Sequence, residues 1–192
     1  MNLPYFLSAL IALGVAPWIS TKLGKKRGGM LTLAISFGMA PMPYILRLLG
    51  WFPENGTDAL FWTLVVFNAL EVTLIIIAAS LVAAMIADIV EDSEVKTGRR
   101  SEGIFFAANS FAQKAVNGLG VVVAGQILAI IQFPTQAKPG EVPESTIADL
   151  AIYYIPVIFF FYILALAVLS LYKINRAGHE ANLRQLADSQ NP

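Results

Sequence analysis

Residues 59–87 read ALFWTLVVFNALEVTLIIIAASLVAAMIA, and the one charged side chain among them is Glu71. At about 1.5 Å per residue, a helix of this length exceeds the ~30 Å hydrocarbon core of a bilayer. The stretch reads as a transmembrane helix, and four further apolar runs flank it. Residues 3–20 end at Lys22, Lys25, Lys26 and Arg27, while residues 30–52 contain Pro41 and Pro43 and close near Arg47 and Trp51. Runs 104–131 and 149–172 follow. Residues 53–58 read as a polar turn, and the proline-rich segment 132–148 as a loop. Prolines within a membrane helix predict a kink, and Arg47, close to its helix end, reads as a snorkelling anchor. In a secretory signal peptide the positive charges precede the apolar run; here they follow it, so residues 3–20 read as a true span.

Composition agrees with this reading. The 192 residues are 57% hydrophobic and 14% charged, where soluble domains run near ~25% charged. Thirteen basic and thirteen acidic residues cancel, which gives no net-charge argument for a nucleic-acid partner. Cysteine is absent and the single histidine, His179, sits in a polar tail, so disulfides, thiolate metal sites and Ser-His catalysis are set aside. The expected fold is an all-α membrane protein with five transmembrane helices. Residues 1–176 form its helical half-domain and residues 177–192 its tail.

Ten Lys and Arg residues fall in alternate connections and the tail, against Lys138 alone on the other side. By the positive-inside rule, the connections 22–28 and 88–103 and the tail are cytoplasmic. The expectation is a multi-pass protein of the cell (inner) membrane with a cytoplasmic carboxyl terminus. An odd number of spans, beginning at an outward-facing Met1 with no positive flank, reads as a fragment of a longer protein.

Polar residues at lipid depth carry the chemistry. Ser110, Gln113, Lys114 and Asn117 recur at i, i+3, i+4 and i+7, which places them on one helical stripe. A lysine near the midplane costs about 2.5–3.5 kcal/mol to insert, so it needs a partner or water. Two readings stand for Lys114: an ion pair with a carboxylate on another helix, or a group lining a substrate or cation path. Glu71 is either that structural partner or a proton or cation carrier. The small residues around the stripe, among them Ala112, Ala115, Gly118 and Gly120, suit close helix packing. In the charged stretch 88–102, carboxylates at a helix carboxyl end oppose the macrodipole. That leaves either a conformation-holding charge network or a solvated loop.

Residues 87–103, ADIVEDSEVKTGRRSEG, followed by SFAQK at 110–114, resemble the signature of the glycoside-pentoside-hexuronide:cation symporters, the melibiose permease group of the major facilitator superfamily. The five spans then correspond to helices eight to twelve of a twelve-helix transporter. The resemblance implies a substrate site between two six-helix halves and alternating access by rocking of those halves. It implies that Lys114 faces the central cavity and that Asn109 and Ser110 lie near the sugar. It also implies that Asp88, Glu91, Glu94 and Arg100 belong to a cytoplasmic charge network.

The resulting expectation is a secondary active transporter, or a fragment of one, for cation-coupled symport of a sugar or related small solute. Its partners would be a glycoside or sugar, a coupling cation (Na+ or H+), the missing amino-terminal helices and the lipid bilayer, with no nucleic acid and no cofactor. The alternatives are a noncatalytic membrane scaffold or truncated fragment, and a transporter of a lysolipid-like amphipathic solute. A membrane enzyme is disfavoured by the single His and absent Cys.

Overall fold

The computed structural model describes residues 3–134, 136, 141–174 and 176–190, and the expectation for Lys138 lies outside them. The described residues are helical, in the order α1 (Leu3–Leu23), α2 (Lys25–Met39), α3 (Met42–Leu48), α4 (Asp58–Thr97), α5 (Glu102–Ile130), α6 (Glu144–Ser170) and α7 (Arg176–Gln190). Five stretches are long and apolar enough to cross a membrane, with α2 and α3 together forming the second.

The helix boundaries depart from the sequence reading where charge was taken to mean loop. The connection expected at 22–28 shrinks to Gly24, whose φ of 78° is a left-handed turn that costs glycine nothing. Lys25 therefore opens a helix. Likewise the charged stretch expected as a connection at 88–103 is helical through Thr97 and ends where Gly98 adopts φ 67°. At about 1.5 Å per residue, the 40 residues of α4 reach ~60 Å, so it overhangs a ~30 Å hydrocarbon layer. The fifth span starts at Glu144 rather than 149, and the polar tail folds as α7. The kink expected at the prolines is present: α2 stops at Met39, and α3 resumes with Pro41 as its N-cap.

Small residues decide which helices approach. Ala12 and Ala16 of α1 are buried against Ile77, Leu81 and Met85 of α4, and Ser8 Oγ donates to Ala69 O at 2.9 Å to fix the register. Gly28 lets α2 enter the same junction, since a Cβ there would collide with Ile19 Cγ2. The α2–α6 seam is aromatic, with Phe37 and Phe159 rings 4.7 Å apart and Ser36 Oγ hydrogen-bonded to the Tyr162 hydroxyl at 2.7 Å. Helix α5 stands apart. Ile127 is its one buried residue among those described, and Phe111 on it is 75% exposed.

Candidate functional site

An uninterrupted α5 keeps Ser110, Gln113, Lys114 and Asn117 on one face, within an arc of about 100°. All four are exposed, and Asn109 beside them is half-buried. Lys114 lies about 18 Å along the helix from Glu102, well inside hydrocarbon depth. No ion pair joins it to Glu71 among the described residues. The structural-pair reading of Lys114 thus finds no partner, and the charge remains open to whatever faces α5. Glu71, thirteen residues into α4, is half-buried. No ion pair neutralises it among the described residues.

The second cluster forms where α4 overhangs. Asp88 is 3% exposed. Lys25 Nζ donates to its Oδ1 at 2.5 Å and the Tyr172 hydroxyl to its Oδ2 at 2.7 Å, so one carboxylate ties α2, α4 and the α6–α7 linker together. Burial, and after it the hydrogen bond to Asp88, push the Tyr172 phenol above its usual range, which keeps it a donor. His179 of α7 places Nδ1 3.2 Å from Asp88 Oδ1 and 2.8 Å from Glu91 Oε2. These are charge-pairing distances without hydrogen-bond alignment, and both Glu91 Oε2 and His179 Nδ1 are buried with no hydrogen-bond partner. Asn182 Nδ2 donates to Asp92 Oδ1 at 3.3 Å, and Lys96 pairs with Asp92 at 2.6 Å.

Of the network expected from sequence, the structure brings Asp88 and Glu91 together and leaves the others out. Arg100 pairs with Glu102 at 3.2 Å beyond the helix end, and no ion pair engages Glu94 among the described residues. The physical reason is Gly98: it turns the chain away before Arg100, and the side chains that meet Asp88 and Glu91 come from other elements. Lys25, Tyr172 and His179 were missed. Lys25 counted only as one of four basic residues after the first span, and a lone histidine in a polar tail carries no sequence signal of contact.

At the opposite end, Arg47 Nη2 pairs with Glu144 Oε1 at 3.3 Å, joining α3 to α6. It is a cross-helix partner, a role that the reading as a snorkelling anchor does not include. A cavity of about 440 Å³ opens beside it, lined by Tyr44, Arg47, Glu54, Glu144 and Ser145.

A family model described as MFS/sugar transport protein matches residues 1–176, and the chain belongs to that family. It is similar to an uncharacterized symporter of Synechocystis, 31% identical over 144 residues that make up 73% of this chain and 26% of that protein. An Escherichia coli protein named as a glycoside/cation symporter, YagG, is 32% identical over 102 residues, 53% of this chain and 22% of its own. The isoprimeverose transporter of Lactiplantibacillus pentosus is 30% identical over 124 residues, 64% of this chain and 24% of its own. The chain spans about a quarter of the length of these relatives. No solved structure matches it.

Replacing Lys25 by Met should strand the buried Asp88 carboxylate. We expect a loss of about 2–4 kcal/mol, below the ~3–5 of a fully buried pair because the Lys25 side chain keeps 27% exposure. Adding Asp88→Asn should restore most of it. Thermal unfolding of the two single variants and the double variant in detergent measures this, and strictly additive losses would refute the pairing.

Proposed function

We propose that the chain works as the carboxyl-terminal part of a cation-coupled symporter for a sugar or related small solute, with the exposed stripe on α5 lining the substrate path. The observation that carries the reading is Lys114, a cation about 18 Å along α5 with no ion pair among the described residues. A lysine so placed is stable beside water or a polar solute and costly beside lipid. Asn109, Ser110, Gln113 and Asn117 add the short-range donors and acceptors that a polyhydroxylated solute needs. Two of the relatives carry names that speak of glycoside/cation symport and isoprimeverose transport, which supports a sugar over an amphipathic solute.

In this reading the block of α1, α2, α4 and α6, pinned at Asp88, moves as one body. The wall facing α5 comes from further helices of a carrier as long as its relatives. Alternating access is then a rocking of the two parts about the site between them. Glu71 is the candidate for the coupling ion, Na+ or H+, because it is a half-buried carboxylate in a span with no ion pair among the described residues. The ends of the helices near Lys25, Asp88, Lys96 and Lys173 face the cytoplasm, following the positive charge.

Two experiments test the proposal. In the assembled carrier, Lys114→Ala removes the burden of a membrane-embedded charge and should leave expression and thermal stability unchanged while solute uptake falls to the level of empty vesicles. Lys114→Arg should recover little, since a planar fork does not replace a compact ammonium. An unstable Lys114→Ala that is rescued by Glu71→Ala would instead make Lys114 a structural partner. For orientation, single cysteines at Asn55 and Ser189 should differ. Asn55→Cys should react with an impermeant thiol reagent in intact cells and Ser189→Cys should not, and the reverse pattern would invert the topology.

A further inference from the structure

A cavity of about 960 Å³ lies between the α1–α2 turn, the α6–α7 linker and one side of α7. Five cations stand in its wall, Lys22, Lys25, Lys26, Arg27 and Lys173, against the carboxylates of Asp88 and Glu180. The five are not equivalent. Lys25 is held by Asp88 at 2.5 Å, and Lys26 Nζ donates to the carbonyl oxygens of Ser170 at 2.7 Å and Tyr172 at 2.6 Å, where it closes the carboxyl end of α6. Lys22, Arg27 and Lys173 are exposed and form no ion pair among the described residues. Asp88 is already matched by Lys25 and Tyr172, and Glu180 has an interaction of its own. Cations therefore outnumber carboxylates in the cavity wall, and three of them form no ion pair among the described residues.

Two further features narrow the ligand. The first turn of α2 forms part of the wall and its N-cap, Gly24, supplies no side-chain oxygen, so the positive end of that helix adds to the field. Leu23, Ile174 and Leu183 also line the cavity, and it sits where α1 and α6 end and α2 begins, at one end of three helices whose stretches are long and apolar enough to cross a membrane. A simple excess of cytoplasmic Lys and Arg spreads cations over solvated loops. Here three cations without an ion pair among the described residues line one partly apolar pocket, and Arg27 brings a guanidinium fork suited to two phosphate oxygens.

We propose that this cavity binds a phosphate group, presented by an anionic phospholipid headgroup or by a small soluble phosphate. The site is distinct from the α5 stripe and does not depend on the transport reading, nor on which side of the membrane this end of the bundle faces.

The test follows thermal unfolding of the protein in phosphatidylcholine nanodiscs at low salt. One arm replaces part of the lipid by phosphatidylglycerol, and the other adds inorganic phosphate against chloride of equal ionic strength. A ligand held by the folded state alone raises the melting temperature. We expect a rise in at least one arm: phosphatidylglycerol alone identifies a lipid headgroup, inorganic phosphate alone a soluble ligand, and both a site open to either. The triple variant Lys22→Gln, Arg27→Gln, Lys173→Gln removes side chains that make no ion pair among the described residues, so its helicity by circular dichroism should be unchanged. Its apparent affinity should fall by at least about tenfold. A control triple, Lys96→Gln, Arg99→Gln, Arg100→Gln, removes the same charge outside the cavity and should keep the rise. No rise in either arm, an undiminished rise in the cavity triple, or an equal loss in the control triple would overturn the proposal.

Discussion

The carboxylate of Asp88 is the constraint around which one end of the bundle is arranged. An ion taken out of water costs several kcal/mol unless its attraction and hydrogen bonds return that energy. Here the return comes from two separate elements, Lys25 at the start of α2 and Tyr172 after α6, while His179 of α7 lies 3.2 Å from the same carboxylate. Each can reach Asp88 only if its own element is in place. The single-residue turn at Gly24 presents Lys25 to α4, and Lys26 beside it closes the end of α6. The approach of α2 needs Gly28 bare at the Ile19 contact, and that of α1 needs Ala12 and Ala16. Small residues permit the contact, and the ion pair fixes its register.

The same electrostatics gives Lys114 a different solution. Lys25 is beside its carboxylate and Lys114 has none among the described residues, although both belong to helices long and apolar enough to cross a membrane. A cation without a partner is tolerable at hydrocarbon depth only where water or a polar solute reaches it. The contrast divides the chain into a pinned block, α1, α2, α4 and α6, and a helix, α5, that leaves its polar face and most of its apolar surface uncovered. Rigid packing on one side and an open polar stripe on the other is the arrangement that a rocking carrier requires.

The sequence made the spans legible because hydropathy over twenty or more residues has few rival explanations, and residues 59–87 left almost none. It also made the α5 stripe legible, since a 3.6-residue period needs only the helix to be continuous, as it is from Glu102 to Ile130. Helix ends were less visible. Charge at 22–28 and 88–97 suggests loop, yet an ion pair across helices joins Lys25 to Asp88 within α2 and α4, and the true stops are Gly24 and Gly98. Partners distant in the chain were not legible at all: 63 residues separate Lys25 from Asp88 and 84 separate Tyr172 from it, and no local pattern links such positions.

The central claim is that the polar face of α5 is wet in the working carrier. The chain contains no cysteine, so single cysteines report on one position at a time. Placed in turn at Ser110, Gln113, Lys114 and Asn117, and on the opposite side at Ala115 and Leu119, they can be challenged with a small, water-soluble thiol reagent in the assembled carrier. The account predicts fast modification at the first four positions and slow modification at the last two, a period of three to four residues. Equal modification of both sides, or protection of all four stripe positions, would contradict it.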